Sequence, residues 1–441
     1  MSAERRLSDV VWVGLALFAM FFGAGNLIFP PYMGFMAAGS WKLALAGFLL
    51  TGIGMPLMGI AASARAGGRV EQLASRVSPL FGQVLSIVII LAIGPLLAIP
   101  RTAATTFEMG VRPNIPGARA AVSSIVYFAF TLFFALNRKK VIDKIGKVLT
   151  PFLLATLALI ILKGIFSPLG RAGDGGLAGA FGRGFREGYQ TMDALASVVF
   201  AEIIIAALVF KGYVRVSDQV RMTSLAGVIA ATGLGLVYGG LMYLGAFSSH
   251  LFPATVERTS LLIGITEGIL GNGGKVALGL AVSLACLTTS IGLTATVGDY
   301  FSVLTRGRLP YKGICLATCI FSAVFATVGV TTIVKVAFPL LVTVYPVVLV
   351  LIILTMAGRL VKHRAIYVGA VIGALSTSVF DAFTAAGVPV RVINQGIAMI
   401  PLASSGFPWI LPAVAGGIIG AALARAGIGG KIEPVAPSYH G

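Results

Sequence analysis

Gly23-Ala24-Gly25-Asn26-Leu27-Ile28-Phe29-Pro30, followed by Pro31, stands in the middle of an apolar run from Val10 to Met36. A helix needs about 20 residues to cross a bilayer, so the run is long enough. Its centre is poor continuous helix, because glycine loses the most entropy on ordering and proline donates no backbone hydrogen bond. A backbone group left unpaired in an apolar medium costs about 2–7 kcal/mol. Such a break persists in lipid only where protein, water or a bound ligand satisfies the freed groups. Unwinding at Gly23–Asn26 exposes carbonyls around Ala19 to Phe22, the negative end of the preceding half-helix, and N–H groups at the positive start of the following one. A cation suits the first and a carboxylate the second, the arrangement transporters use for a zwitterion with Na+. The side-chain carbonyl of Asn26 offers one more oxygen to the ion. The competing reading is a structural kink or tight packing at small residues, although Gly23-Ala24-Gly25 lacks the Gly-xxx-Gly spacing.

Composition places this break in a membrane. Only 11% of the 441 residues are charged, 57% are hydrophobic and the mean hydropathy is +0.97. Soluble domains carry about 25% charged residues. The long apolar runs indicate an all-α integral membrane protein rather than a β-barrel, whose strands read as segments of about 10 alternating residues. The net charge of +18 would suggest nucleic acid in a soluble protein; here it is read as basic loops facing the cytoplasm. Glu4-Arg5-Arg6 resembles the start of a signal peptide, but the apolar run behind it is too long and too interrupted to be one. Cys286, Cys315 and Cys319 all fall in apolar runs and form no disulfide or zinc framework.

Twelve spans are expected, with cores near 10–36, 42–64, 80–106, 118–136, 148–166, 188–210, 223–247, 275–304, 313–329, 332–357, 365–386 and 396–424. With the N-terminus inside, inner segments hold 21 Lys and Arg residues and outer segments 11, Arg101 lying within a span. This asymmetry supports cytoplasmic termini. Thr259–Leu270 is too short to cross and carries Glu267, so it is read as an extracellular cap between spans 7 and 8. Gly94-Pro95, Pro100, Pro339 and Pro346 mark kinks, and 425–441 reads as a loose cytoplasmic tail.

Span 6 carries the second candidate, Gly188-Tyr189-Gln190-Thr191-Met192-Asp193-Ala194-Leu195-Ala196-Ser197. An acid such as Asp193 inside a membrane is costly and points to function, unless it is solvated at the span's outer edge. If two halves of five spans are inverted repeats, span 6 corresponds to span 1 and a second break belongs here. In span 8, Thr288-Thr289-Ser290 either supply oxygen ligands to a hard cation or bond back onto their own helix. Arg101 and Glu108 are seven apart on span 3 and read as either a structural ion pair or a gate. Glu202, deeper in span 6, could line a water path, pair with a base or stay protonated, and the sequence names no partner for it. The three histidines have no partners at metal or triad spacing, and no P-loop is present.

Phe22–Pro31 (FGAGNLIFPP) resembles the signature of the branched-chain amino acid:cation symporter family of the BrnQ type. Gly94–Gly110, Gly188–Phe200, Ala285–Leu293 and Phe338–Pro346 resemble the same family, in the same order along the chain. The resemblance implies the LeuT-like fold of the amino acid–polyamine–cation superfamily. Spans 1–5 (1–166) and 6–10 (188–357) would form the inverted 5+5 repeat, with spans 1 and 6 interrupted and 365–424 adding two C-terminal helices. It implies a secondary symporter in the bacterial inner membrane, not an enzyme, importing leucine, isoleucine or valine with Na+ as coupling ion and no cofactor. By the same resemblance, Gly23, Ala24, Gly25 and Asn26 with Thr191, Met192, Asp193, Ala194 and Leu195 would hold the substrate. Ala19, Phe22, Ala285, Thr288 and Thr289 would hold the sodium ion. Glu202 departs from the aliphatic or small residue expected there and leaves proton coupling open. The rivals are a carrier of this fold for another small apolar solute, and an ion channel. A membrane enzyme or sensor would need a catalytic cluster or a large soluble domain, and the sequence offers neither.

Overall fold

The structure, a computed structural model, describes residues 3–136, 142–358, 361–388, 391–428, 430 and 432, with side chains apart from those of 3–6, 142–150 and 391–394. Of the basic cluster, Arg138, Lys139 and Lys140 lie outside this description, as do the side chains of Lys144 and Lys147 and the tail from 433 to 441. Sixteen helical segments follow one another: α1 Ala3–Phe21, α2 Ala24–Ala37, α3 Trp41–Ala66, α4 Val70–Ala74, α5 Pro79–Val111, α6 Ala120–Leu136, α7 Ile142–Phe166 and α8 Ala180–Tyr189. The remainder are α9 Asp193–Phe210, α10 Val216–Ala246, α11 Arg258–Leu304, α12 Tyr311–Ala326, α13 Val330–Ala357, α14 Arg364–Ala385, α15 Arg391–Ala398 and α16 Ile410–Arg425. An isolated β-bridge joins Ala38 and Gly176.

Seven of these helices (α3, α5, α9, α10, α11, α13 and α14) are long and apolar enough to cross a membrane. The α1–α2 pair makes an eighth, bent by 72° at its break. α6, α12, α16 and the Pro151–Phe166 part of α7 are shorter apolar helices at the four remaining expected positions. Large apolar side chains such as Phe133, Phe166 and Phe210 point outward, the distribution expected of a protein whose solvent is lipid.

Two breaks shape the interior. α1 ends when the Phe22 N–H makes its last helical bond to Phe18 O at 3.0 Å, and Gly23 is extended (φ −124°, ψ −170°). The Gly23 N–H, which in an unbroken helix would bond the Ala19 carbonyl, is instead accepted by Asn26 Oδ1 at 3.1 Å. This contact starts α2, which continues through Pro30 and Pro31. The second break covers Gln190–Met192. Met192 is left-handed (φ 64°), an unusual conformation for a residue with a side chain, and the Thr191 hydroxyl donates to Gly188 O at 2.9 Å. α2 is held against α10 at very close range: a Cβ on Gly245 would stand 1.8 Å from Pro31 O, and one on Gly34 2.0 Å from Met242 O.

Other irregularities match the punctuation of the sequence. α5 widens into a π-helical turn over Ala92–Leu96, where Gly94 leaves helical geometry before Pro95, and again over Thr106–Val111. The Thr259–Leu270 segment is helical and runs into its span through a sharp bend at Gly271 (φ 68°, ψ −163°). Cys286, Cys315 and Cys319 are buried and unbridged.

Candidate functional site

The two breaks meet. Asn26 Nδ2 donates to Asp193 Oδ2 at 2.7 Å, across 167 residues of chain, and also contacts the Tyr238 hydroxyl. Tyr238 in turn donates to Asp193 Oδ2 at 3.4 Å. Asp193 sits at the first position of α9, where its N–H bonds the Thr191 hydroxyl at 3.3 Å and its carboxylate faces the positive helix end. Asn26 (1% exposed) and Asp193 (4%) are fully enclosed, so this pairing is made at low dielectric, where an unsatisfied partner is costly.

Around the breaks lies a cavity lined by Gly23, Ala24, Gly25 and Asn26 of the first and Thr191, Met192 and Asp193 of the second. Ile93, Ala98, Phe200 and Leu293 supply apolar walls, and Thr289 approaches from α11. Its charged lining residues are Arg101 and Asp193. The free volume is about 40 Å³. A water molecule occupies about 30 Å³ of liquid, and drug-sized ligands fill cavities of about 300–1,000 Å³. The walls must therefore part to admit an organic solute. A larger apolar groove of about 610 Å³, bounded by Leu96, Phe301 and Phe321, shares no lining residue with this cavity and has no charged lining residue.

Seven of the nine residues expected to hold substrate line the cavity; Ala194 and Leu195 are buried but do not. Of the five expected to hold sodium, only Thr289 does. Its hydroxyl stands 3.7 Å from where a Cβ on Gly23 would be, so α11 abuts the first break. The Thr288 hydroxyl bonds back to Ala285 O at 2.9 Å, the local alternative weighed for it.

Three readings of the sequence are refined or corrected by these contacts. Asn26 Oδ1 takes the Gly23 N–H and its amide reaches Asp193, so the side chain braces the breaks before it can serve an ion. Arg101 and Glu108 do not pair. Arg101 Nη1 donates to Gln190 O at 2.5 Å, whereas Glu108 accepts from the Thr259 hydroxyl at 2.6 Å and from Val330 N at 2.8 Å. The wide turn that begins at Thr106 and holds Glu108 breaks the regular helical spacing that would have put the two on one face. Of the alternatives for Glu202, the structure shows pairing with a base: Arg69 Nε lies at 3.6 Å, and the Glu202 side chain is 60% exposed. Tyr238 was missed because a lone tyrosine in an apolar run gives no signal of its target.

Ion pairs tie down the ends of the broken helices. Arg258, at the start of α11, reaches Glu187 Oε1 at 3.0 Å and lies over the rings of Phe29 and Tyr32. Near the far end of α1, Asp9 pairs with Lys211 and accepts from the Tyr213 hydroxyl at 3.1 Å. The first pair joins α8 to α11, and the second joins α1 to the turn that follows α9.

Broken helices around a small charged cavity define a membrane transporter with the LeuT-like fold. The structure aligns with the nucleobase-cation-symport-1 family transporter Mhp1 in its closed, bromovinylhydantoin-bound form at a TM-score of 0.61. That alignment covers 95% of this chain and 92% of Mhp1 at 13% identity. It also aligns with MhsT in complex with L-phenylalanine (TM-score 0.57, 15% identity, 93% and 98% covered). Within that fold the chain belongs to the branched-chain amino acid transport protein family, whose model matches residues 6–427. It is 39% identical over 427 residues to the branched-chain amino acid permease BraB of Bacillus subtilis, covering 94% of this chain and 95% of that protein. It is 38% identical over 412 residues to the branched-chain amino acid transport system 2 carrier protein of Pseudomonas aeruginosa, covering 92% and 93%. The protein is a multi-pass membrane transporter and not an enzyme.

Proposed function

We propose that this transporter carries leucine, isoleucine and valine into the cell by alternating access, in symport with Na+, across the inner membrane of a bacterium with both termini in the cytoplasm. The observation that carries the reading is the Asn26–Asp193 bond at the wall of a cavity shared by both breaks. A solute entering that cavity touches both half-helix junctions at once, so its binding biases how the halves sit. The apolar walls suit a branched side chain, and because one methylene is worth only about 1–3 kcal/mol, the three amino acids compete.

Sodium in this reading is held by backbone carbonyls of Ala19 and Phe22 with oxygens of Ala285, Thr288 and Thr289. Its support is the donor chemistry: the Ala19 carbonyl has lost its helical N–H, and Thr289 abuts Gly23. With Na+ bound, the break stiffens and the amino acid docks. The Glu187–Arg258 and Asp9–Lys211 pairs then open in turn. The buried carboxylate of Asp193 favours a second reading, coupling to protons.

The test is uptake of labelled leucine into proteoliposomes under an inward Na+ gradient, an equal choline gradient, or a proton gradient alone. Stimulation by Na+, with competition from isoleucine and valine, is the expected result. Full uptake on the proton gradient with none from Na+ replaces sodium by the second reading. Absence of saturable uptake overturns the carrier.

A further inference from the structure

Arg101 is an unusual occupant of the cavity wall. It is 4% exposed, in a helix deep within an apolar bundle, and among the described residues no carboxylate lies within ion-pair distance of it. Nη1 is spent on the carbonyl of Gln190, the first residue of the second break, and the guanidinium lies over the Phe29 ring at 5.2 Å. Nε is buried without any partner. The other side of the guanidinium faces the first break, because a Cβ on Gly25 would stand 2.9 Å from Nη2. Gly25 belongs to the first turn of α2, whose backbone N–H groups have no helical acceptors. A fixed, always-charged fork thus stands beside the positive end of a 14-residue helix, with one donor unmatched.

Leaving a buried charge without an opposite charge is costly, and an anion arriving here would remove that cost. The cavity holds one further charge, Asp193, on the opposite break. One cation and one anion in a single apolar cavity are complementary to a zwitterion.

We infer that Arg101 is the receptor for the carboxylate of the transported amino acid, acting with the N–H groups of Gly25's helical turn, while Asp193 faces the ammonium. This rests on the carrier reading above. It adds that the protein selects for an α-carboxylate through a side chain, not through backbone dipoles alone. It also links substrate to the second break, because the same guanidinium holds Gln190 O.

The experiment compares leucine with 3-methylbutylamine, which lacks the carboxylate, and 4-methylpentanoate, which lacks the amine, as inhibitors of labelled-leucine uptake and as ligands of the purified protein. In the unaltered protein leucine should bind at least about 10-fold more tightly than 3-methylbutylamine, with 4-methylpentanoate a measurable competitor. In Arg101→Gln, leucine and 4-methylpentanoate should lose about 10- to 100-fold while 3-methylbutylamine changes by less than about 2-fold, so the advantage of leucine collapses. Arg101→Lys keeps the charge without the fork and should fall between the two; it carries the comparison if the glutamine variant does not fold. Equal loss of affinity for all three ligands would make Arg101 structural and overturn the inference. So would unchanged leucine affinity in either variant, while leaving the carrier reading intact. No saturable leucine transport by the unaltered protein would instead remove the reading beneath it.

Discussion

Asn26 Nδ2 lies 2.7 Å from Asp193 Oδ2, and Asn26 Oδ1 lies 3.1 Å from the Gly23 N–H. One amide thus starts the second half of one broken helix and holds the first residue of the other. Asn26→Ala should therefore do more than remove a contact. It leaves the Gly23 N–H without its acceptor and Asp193 without a close donor. Hydrogen bonds to charged groups are worth about 1.5–3 kcal/mol, so leucine affinity should fall by at least about 10-fold. Asn26→Asp, which sets two carboxylates against each other, should fall further. The check is leucine KM and maximal uptake at matched amounts of protein in the membrane; a KM within a factor of about two of the unaltered value would dissolve this brace.

The breaks themselves were legible because glycine, proline and an acid inside apolar runs each carry a local cost that packing must answer. Gly94-Pro95 was legible for the same reason and breaks helical geometry in α5, whereas the bend at Gly271 appears only in the structure. Partners across the bundle were not. Nothing in the one-dimensional order links Tyr238 to Asn26, or Glu108 to Thr259 and Val330. An ion pair between Arg101 and Glu108, one of the two alternatives for them, requires a regular helix, whereas α5 widens over Thr106–Val111, the turn that holds Glu108. Helical spacing predicts neighbours only while 3.6 residues per turn holds.

Thr288 and Thr289 are adjacent in sequence but differ in what their hydroxyls do. Thr288 is committed to Ala285 O at 2.9 Å, while Thr289 faces the first break beside Gly23. If sodium binds at this junction, Thr289→Ala should raise the Na+ concentration for half-maximal uptake by about 10-fold, in line with one hydrogen bond or ion ligand of 1–2 kcal/mol. Thr288→Ala should raise it by less. The Na+ dependence of leucine uptake at fixed membrane potential checks both, and equal sensitivity of the two variants would refute the assignment of Thr289.

Glu202 drew notice as an acid within a span, yet it is 60% exposed and pairs with Arg69 at 3.6 Å. Exposed ion pairs are worth about 0–1 kcal/mol. Glu202→Gln should leave leucine KM and the Na+ stimulation within about 2-fold of the unaltered protein. Loss of ion stimulation in this variant, measured in the same proteoliposomes, would restore a coupling role to Glu202.

Gly245 and Gly34 let α10 meet α2 without side chains between them, and a Cβ on Gly245 would stand 1.8 Å from the Pro31 carbonyl. Overpacking of this kind costs about 1–3 kcal/mol, and α2 must shift away to relieve it. Gly245→Ala should therefore lower the midpoint of thermal unfolding in detergent and weaken leucine binding together, because α2 carries Gly25 and Asn26 into the cavity wall. An unaltered melting midpoint would mean that the two helices separate at no cost.

The Glu187–Arg258 pair is the most directly testable latch. Its side chains are each 18% exposed, so breaking it strands a half-buried charge, and Arg258 also stacks on Tyr32 with 4.2 Å between guanidinium carbon and ring centre. The contact joins α8, the half-helix before the second break, to the cap segment that begins α11. Neither residue lines the cavity. Loss of the pair should therefore change the rate at which that end opens and closes, more than the affinity of the closed site. Arg258→Gln and Glu187→Gln are each expected to lower maximal leucine uptake about 3- to 10-fold, with equilibrium leucine binding held within about 3-fold. The charge-exchanged double variant Glu187→Arg with Arg258→Glu should recover part of the rate, and a double-mutant cycle gives the coupling directly. Additive losses, with no recovery on exchange, would show that the two residues act independently and that closure at this end is carried by Glu108 and Thr259 instead.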